Sequence, residues 1–388
     1  MVAGDNLFIL AKAGGGVNAP SWARYNIPIA KPLVTDEDIS EVVSALRGGH
    51  LSSGEYVAKF EREFAGYIGA KHAVAVNSGT AALEIALKSL GVTTGDEVIT
   101  PSFTIAATSN AVVNLGARPV FVEIEDETYN IDPLKIQAAI TSRTKVIMPI
   151  HYAGQSCQID EINEIASKHG IFVVEDAAPA AGAEYKGKRA GVLGTAAGFS
   201  FFPDKNLTTG EGGMLTTNNA DIAEKASYLR KHGAPTRYYN IEIGWNYKMP
   251  DFCAAMGTSQ LKRLDDTIKR KNELAQRYSR LLSDAPGIKT PFVRAFNRHT
   301  FMLYAIRTKG RRDRDRIKSM LENGGIETRI NFPPVHLQPI YRRLFGYKEG
   351  YLPLTEAISD SIISLPIYLS MTEDDQNRVA EIVKEALR

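Results

Sequence analysis

"HAVAVNSGTAALEIALKSLG", residues 72–91, runs from a short apolar stretch through a Ser-Gly-Thr turn into an alanine- and leucine-rich segment. An apolar run closed by turn residues reads as a strand, and the Ala/Leu spacing behind it reads as a helix. The same alternation recurs downstream: "DEVITP" precedes "FTIAATSNAVVNLG", "RPVFVEI" follows, "TKVIMPIH" precedes "IDEINEIASKHG", and then comes "GIFVVEDAA". These strands are continuously apolar, as strands buried on both faces must be. The sequence therefore predicts an α/β fold with a mostly parallel central sheet covered by helices. Upstream, "TDEDISEVVSALRGG" reads as a helix capped by Thr35, and "GEYVAKFEREFAGYIG" as a second.

From about residue 250 the texture changes to long charged helices, a strand-like "TFMLYAIRTKG" and a final amphipathic helix, "EDDQNRVAEIVKEALR". The expected partition is an N-terminal tail (1–25), a large domain (26–250) and a smaller C-terminal α+β domain (251–388).

With 44% hydrophobic and 23% charged residues and a net charge of +2, the chain has neither the composition of a disordered protein nor a polyanion-binding surface, so nucleic acid is not an expected partner. The two cysteines, Cys157 and Cys253, lie far apart without metal-ligand spacing; no disulfide and no metal site is expected. The N-terminal stretch, with Asp5 and a glycine cluster, makes a poor secretion signal, and no run approaches a membrane span. A cytoplasmic protein is expected.

Three features could carry chemistry. "NSGT", Asn77 to Thr80, stands where a strand hands over to a helix: helix-terminal N–H groups, the close approach that Gly79 permits, and the Ser78 and Thr80 hydroxyls suit a phosphate. A plain helix cap would look the same. "VVEDAA" ends an apolar strand with Glu175 and Asp176, which alternation sends to opposite faces. Ligands of open α/β sheets bind at such strand ends, and a buried carboxylate needs a partner. Third, "GFSFFPDKNLTTGEGGMLTT", residues 198–217, sets Ser200 on a strand, Lys205 just beyond it, and Gly210, Gly212 and Gly213 in a turn leading to another strand. A desolvated lysine is a nucleophilic amine suited to Schiff-base chemistry, although a solvated loop lysine is the plain alternative. Pyridoxal 5'-phosphate (PLP) asks for all three at once: a cradle for its phosphate, an anion for its ring nitrogen and an amine for its aldehyde.

The motifs "IPIAKP", "FEREFAGYIGAKHAVAVNSGTAALEIAL", "EDAAPAAGA", "FSFFPDKNLTTGEGGM", "IGWNYKMPD", "PPVHLQPIY" and "SLPIYLSMTEDD" follow one another between about residue 26 and the C-terminus. Here the chain resembles the DegT/DnrJ/EryC1/StrS family of nucleotide-sugar aminotransferases, PLP enzymes of fold type I. The resemblance implies that Lys205 bonds the cofactor and shuttles protons, that Asp176 pairs with the pyridine nitrogen, and that Gly79, Thr80 and Ser200, in the turn that Ser78 opens, hold the phosphate. It implies that Asn246 reaches the phosphate of a neighbouring subunit, hence a homodimer with shared active sites. Two half-reactions are implied: an amino acid, with glutamate the expected donor, converts the cofactor to pyridoxamine phosphate, which then aminates a keto group of a nucleotide-linked deoxysugar.

Relatives that dehydrate the sugar resemble this chain but carry histidine where Lys205 stands, so lysine favours amino transfer. A dehydratase on the same cofactor and a regulatory or binding protein that has kept the fold are the competing readings. Two positions depart from the family: Pro179 replaces a polar side chain expected near the cofactor's phenolic oxygen, and Ile105 stands where relatives often stack an aromatic, with Phe103 as a substitute in a different register. His336, in "PPVHLQP", and Arg329 are candidates for substrate contact; a hydrogen-bonded structural histidine is the alternative for the first. The sequence names neither the nucleotide, nor the sugar, nor the carbon aminated.

Overall fold

The alternating segments assemble into one seven-stranded sheet in a computed structural model that describes residues 25–388. The expected tail, 1–25, lies outside the described residues except for Tyr25. The strands are β1 (His72–Val76), β2 (Glu97–Pro101), β3 (Arg118–Val122), β4 (Thr144–Ile147), β5 (Phe172–Asp176), β6 (Ala196–Ser200) and β7 (Gly213–Thr217), in the order β1-β7-β6-β5-β4-β2-β3. β7 runs antiparallel to both neighbours, and all other pairs are parallel. The direction of β7 follows from its connection: a loop returns the chain from β6 without a crossover helix, so the two strands pair head to tail.

Helices cover both faces, as the continuous apolar strands require. On one face α3 (Gly79–Ser89) buries Ala82, Ile85, Ala86 and Leu87 against Val74, Val98, Val146, Val174 and Leu215. On the other, α2 (Glu55–Ile68) and α6 (Asp251–Leu261) pack Phe60, Phe64, Ala254 and Leu261 against Phe199, Phe201 and Met214. Between α3 and the later helices run α4 (Ala106–Val113), before β3, and α5 (Ile159–His169), before β5. The first helix, α1 (Asp36–Arg47), begins in the expected capping box: Thr35 N–H donates to Asp38 at 2.9 Å, and the Asp38 N–H donates back to the Thr35 hydroxyl. Asp38 is buried and also takes hydrogen bonds from Gln260 (2.8 Å) and Arg263 (2.9 Å), which ties α1 to the end of α6.

A second core follows. The antiparallel pair β8 (Tyr304–Arg307) and β9 (Ile362–Leu365) packs with α7 (Leu264–Leu281), α8 (Arg311–Asn323) and α9 (Glu373–Glu385) around Tyr278, Tyr304, Ile317, Leu321, Ile363 and Val379. Ile27 joins this core through a bridge to Ile326, whereas Cys253, Ala254, Leu264 and Ile268 belong to the core of the large sheet. Three two-residue strands, Glu184–Tyr185, Lys188–Arg189 and Asn297–Arg298, form a small ribbon that is too short to show any alternation in sequence. Among the described residues no helix is long and apolar enough to cross a membrane. Cys157 and Cys253 are buried free thiols.

Candidate active site

The carboxyl ends of β1, β5 and β6 meet at one cavity of about 360 Å³. At its floor α3 begins directly after β1. Ser78, extended at φ −164°, ψ 161°, accepts the Ala81 N–H at 3.1 Å and so caps the helix. Two glycines allow this helix terminus to touch the ends of β6 and β7: a Cβ on Gly79 would lie 2.7 Å from Cβ of Ser200, and one on Gly213 would lie 2.3 Å from the Ser78 carbonyl oxygen. The result is a set of backbone N–H groups and the Ser78, Thr80 and Ser200 hydroxyls around the positive end of a helix, a good place for an anion. Alternation along β6 explains the sorting of its side chains. Phe199 and Phe201 enter an aromatic cluster with Phe60 and Phe64, with ring centroids 5.1 to 5.9 Å apart, while Ser200 and Phe202 line the cavity.

Asp176 closes β5 with its carboxylate in the cavity wall, 3% exposed. One oxygen accepts the Thr108 hydroxyl at 2.7 Å and the other accepts the Ala178 N–H at 3.1 Å. The Thr104 and Thr108 hydroxyls lie 2.9 Å apart, so the loop before α4 and the first turn of the helix together present a short relay to the acid. Burial pushes the Asp176 carboxyl above its ordinary range, opposed by the Thr108 bond, the Ala178 N–H and the charge of Lys205. Its neighbour is spent elsewhere. Glu175, fully buried on the opposite face, accepts the N–H groups of Gly191, Leu193 and Gly194, each at 2.8 Å, and bonds His151 Nε2 at 2.8 Å. Since His151 Nδ1 accepts the Cys157 N–H, its Nε2 carries the hydrogen that Glu175 receives. Four donors satisfy that carboxylate and leave it a structural task.

Lys205 stands on the loop between β6 and β7, where Gly210 takes φ +78°. Its Nζ lies 3.4 Å from one oxygen of Asp204, whose other oxygen lies 3.4 Å from Arg329. Asn206 fastens the loop by donating to the Thr300 carbonyl at 2.8 Å. Of the ten expected site residues, eight line the one cavity: Ser78, Gly79, Thr80, Ile105, Asp176, Ser200, Lys205 and Arg329. Ile105, 58% exposed at the start of α4, presents its apolar side chain there, while Phe103 turns away and packs on Tyr129, Tyr152 and Phe332. Pro179 is not part of the lining, although Ala178 is.

Two residues are not brought in. His336 is fully buried; its backbone N–H donates to Ser102 Oγ, Ser102 Oγ lies 2.7 Å from Nδ1, and Nε2 lies 3.0 Å from Glu356. Burial lowers the pKa of this imidazole, with Glu356 acting against the shift. Both ring nitrogens are thus occupied away from the cavity, the geometry of a structural histidine. Asn246 is exposed on the segment that hydrogen-bonds to Asn77, outside the cavity of its own chain. Sequence reasoning missed Thr104, Thr108 and Asp204. The i, i+4 threonines of "TIAAT" and the acid directly before Lys205 were the available signals.

The sequence profile of the DegT/DnrJ/EryC1/StrS aminotransferase family matches residues 32–384. The chain belongs to this family. Among its curated relatives, the spore coat polysaccharide biosynthesis protein SpsC of Bacillus subtilis (strain 168) is 43% identical over 381 residues, covering 94% of this chain and 98% of the relative. GDP-perosamine synthase of Caulobacter vibrioides is 40% identical over 367 residues, covering 93% and 98%. Among solved structures, Spr1654 of Streptococcus pneumoniae, determined in PLP-, PMP- and apo-forms, superposes with a TM-score of 0.89 at 29% identity over 93% of this chain and 98% of its own. The DegT/DnrJ/EryC1/StrS architecture is the expected mostly parallel sheet of fold type I.

Proposed function

We propose that the protein is a cytoplasmic, homodimeric PLP-dependent aminotransferase that moves an amino group from an amino acid, glutamate by preference, to a keto group of a nucleotide-linked deoxysugar. The observation that carries this reading is the convergence of Lys205, Asp176 and the Gly79–Ser200 contact on one cavity. The residues fit the cofactor. Side chains are excluded at the floor, so the Gly79 and Thr80 N–H groups, with the Ser78, Thr80 and Ser200 hydroxyls, can hold a phosphate. Asp176, with its pKa raised by burial, calls for a cation, which a protonated ring nitrogen provides. Ile105 supplies apolar contact for a ring.

When bound, PLP supplies the electron sink that lets a C–H bond beside nitrogen break. The chain does the rest. Asp176 keeps the ring nitrogen charged, and the Thr104–Thr108 relay orients Asp176. The Lys205 amine takes and returns the proton at the amino-bearing carbon, as general base and then general acid. Arg329, 44% exposed in the cavity wall, suits an anionic group of the donor or the sugar nucleotide. In the dimer, Asn246 completes the phosphate site of the partner subunit. The substrate class rests on the names of the relatives.

The test is to load the protein with pyridoxamine phosphate and offer 3-keto and 4-keto sugars linked to GDP, dTDP and UDP. The expected result is return of the PLP spectrum, with an amino-sugar mass, for one of them. If glutamate converts the cofactor but no keto-sugar restores it, the substrate class is wrong.

A further inference from the structure

Asp204 and Lys205 line a second, smaller cavity of about 30 Å³, and among the described residues they are the only ones it shares with the substrate cavity. Lys271, from α7, points into it. The residue is 6% exposed and its ammonium makes one hydrogen bond among the described residues, to the Ile367 carbonyl at 2.8 Å, so two of its three N–H groups are unspent. Two buried acceptors around the same cavity have room for a further donor: Oδ1 of Asn206 has no hydrogen-bond partner among the described residues, and the Asp204 oxygen that faces Lys205 Nζ has only that ion-pair contact at 3.4 Å. A space of this size holds one water, and the Lys271 ammonium, the Asn206 oxygen and the Asp204 oxygen give that water three polar contacts.

The other charged groups facing the cavity cannot take this place. Arg263 is committed to Asp38, Lys31 is exposed, and burial pushes the Tyr368 hydroxyl up to about 12. Arg329 meets Asp204 on its other oxygen. Burial draws the Lys271 ammonium down to about 8, and the charge of Asp204 opposes that fall.

We propose that Lys271 is a positioning residue for Lys205: a water in the small cavity joins the Lys271 ammonium to the Asp204 carboxylate, and this weakens the hold of Asp204 on the proton of the Lys205 amine. The proposal rests on the reading of Lys205 as the cofactor-bonding lysine. A charged Lys271 offsets Asp204 and favours the neutral, proton-accepting amine. As pH rises through about 8 Lys271 loses its charge, and Asp204 then holds the Lys205 proton more firmly. Lys271 touches no substrate; it acts through Asp204.

The experiment is a pH titration of the visible band of the PLP-loaded protein, comparing wild type with Lys271→Gln, Lys271→Arg, Asp204→Asn and the Lys271→Gln/Asp204→Asn double variant. Removing the buried positive charge in Lys271→Gln raises the midpoint by about half to one pH unit, the scale expected for one charge acting through an intervening carboxylate. Lys271→Arg keeps the wild-type midpoint, Asp204→Asn lowers it, and in the Asp204→Asn background Lys271→Gln shifts it by less than half as much. Should the glutamine variant fail to fold, Lys271→Met carries the same expectation. A Lys271→Gln midpoint equal to wild type, or a full shift on top of Asp204→Asn, overturns the proposal. If the wild-type band survives but borohydride fixes it on another lysine, the Lys205 reading itself falls, and the proposal with it.

Discussion

Asp176 and Glu175 are adjacent acids with opposite fates, and the difference lies in their donors. Glu175 has four donors; Asp176 has a hydroxyl and one N–H, and its pKa is raised by burial. A group whose folded pKa is raised adds stability below its unfolded value, and that stability is lost as pH rises through the folded one. Asp176→Asn should therefore raise the melting temperature of the cofactor-free protein near pH 7 and leave it unchanged near pH 3, by calorimetry. In the loaded enzyme the same change should lower kcat by about 10²–10³-fold, as loss of one preorganised electrostatic contact does. Thr108→Val strips a buried carboxylate of its hydroxyl and should destabilise by about 1–3 kcal/mol in urea denaturation. That Asp176 and Lys205 would meet at one cavity was legible, because the sequence sets both at the ends of neighbouring strands of one sheet. Thr108 was not, because a helical threonine ordinarily bonds the preceding turn of backbone. His336 was ambiguous until both ring nitrogens were seen to be occupied.

At the scale of elements, the contact between the start of α3 and the end of β6 decides whether there is an anion site. Gly79→Ala places a methyl 2.7 Å from the Ser200 side chain, so the helix end must retreat. The expected loss is about 1–3 kcal/mol of stability, as for overpacking, and weaker cofactor binding in a spectral titration. A phosphate-free pyridoxal should bind this variant and the wild type alike. The alternation of strands and helices was readable from hydropathy because each strand is buried on both faces. The antiparallel run of β7 was not, since burial on both faces carries no direction; the length of the connection sets it. The two-residue ribbon strands left no pattern to read.

At the scale of the molecule, the segment leading to Asn246 exposes Tyr238, Tyr239, Ile241 and Ile243, apolar surface that suits burial against a second copy. If Asn246 serves the partner's site, mixing Lys205→Ala with Asn246→Ala subunits should restore about one quarter of wild-type turnover, because half the random dimers then hold one intact site. Activity no higher than that of either variant alone would refute sharing. The central claim is that Lys205 carries the cofactor in the cavity floored by α3 and walled by Asp176. The direct measurement is borohydride reduction of the yellow protein followed by digestion and mass analysis. The account predicts a reduced pyridoxyl label on the peptide holding Lys205 and loss of the label in Lys205→Ala; a label on another lysine, with Lys205 unmodified, would contradict it.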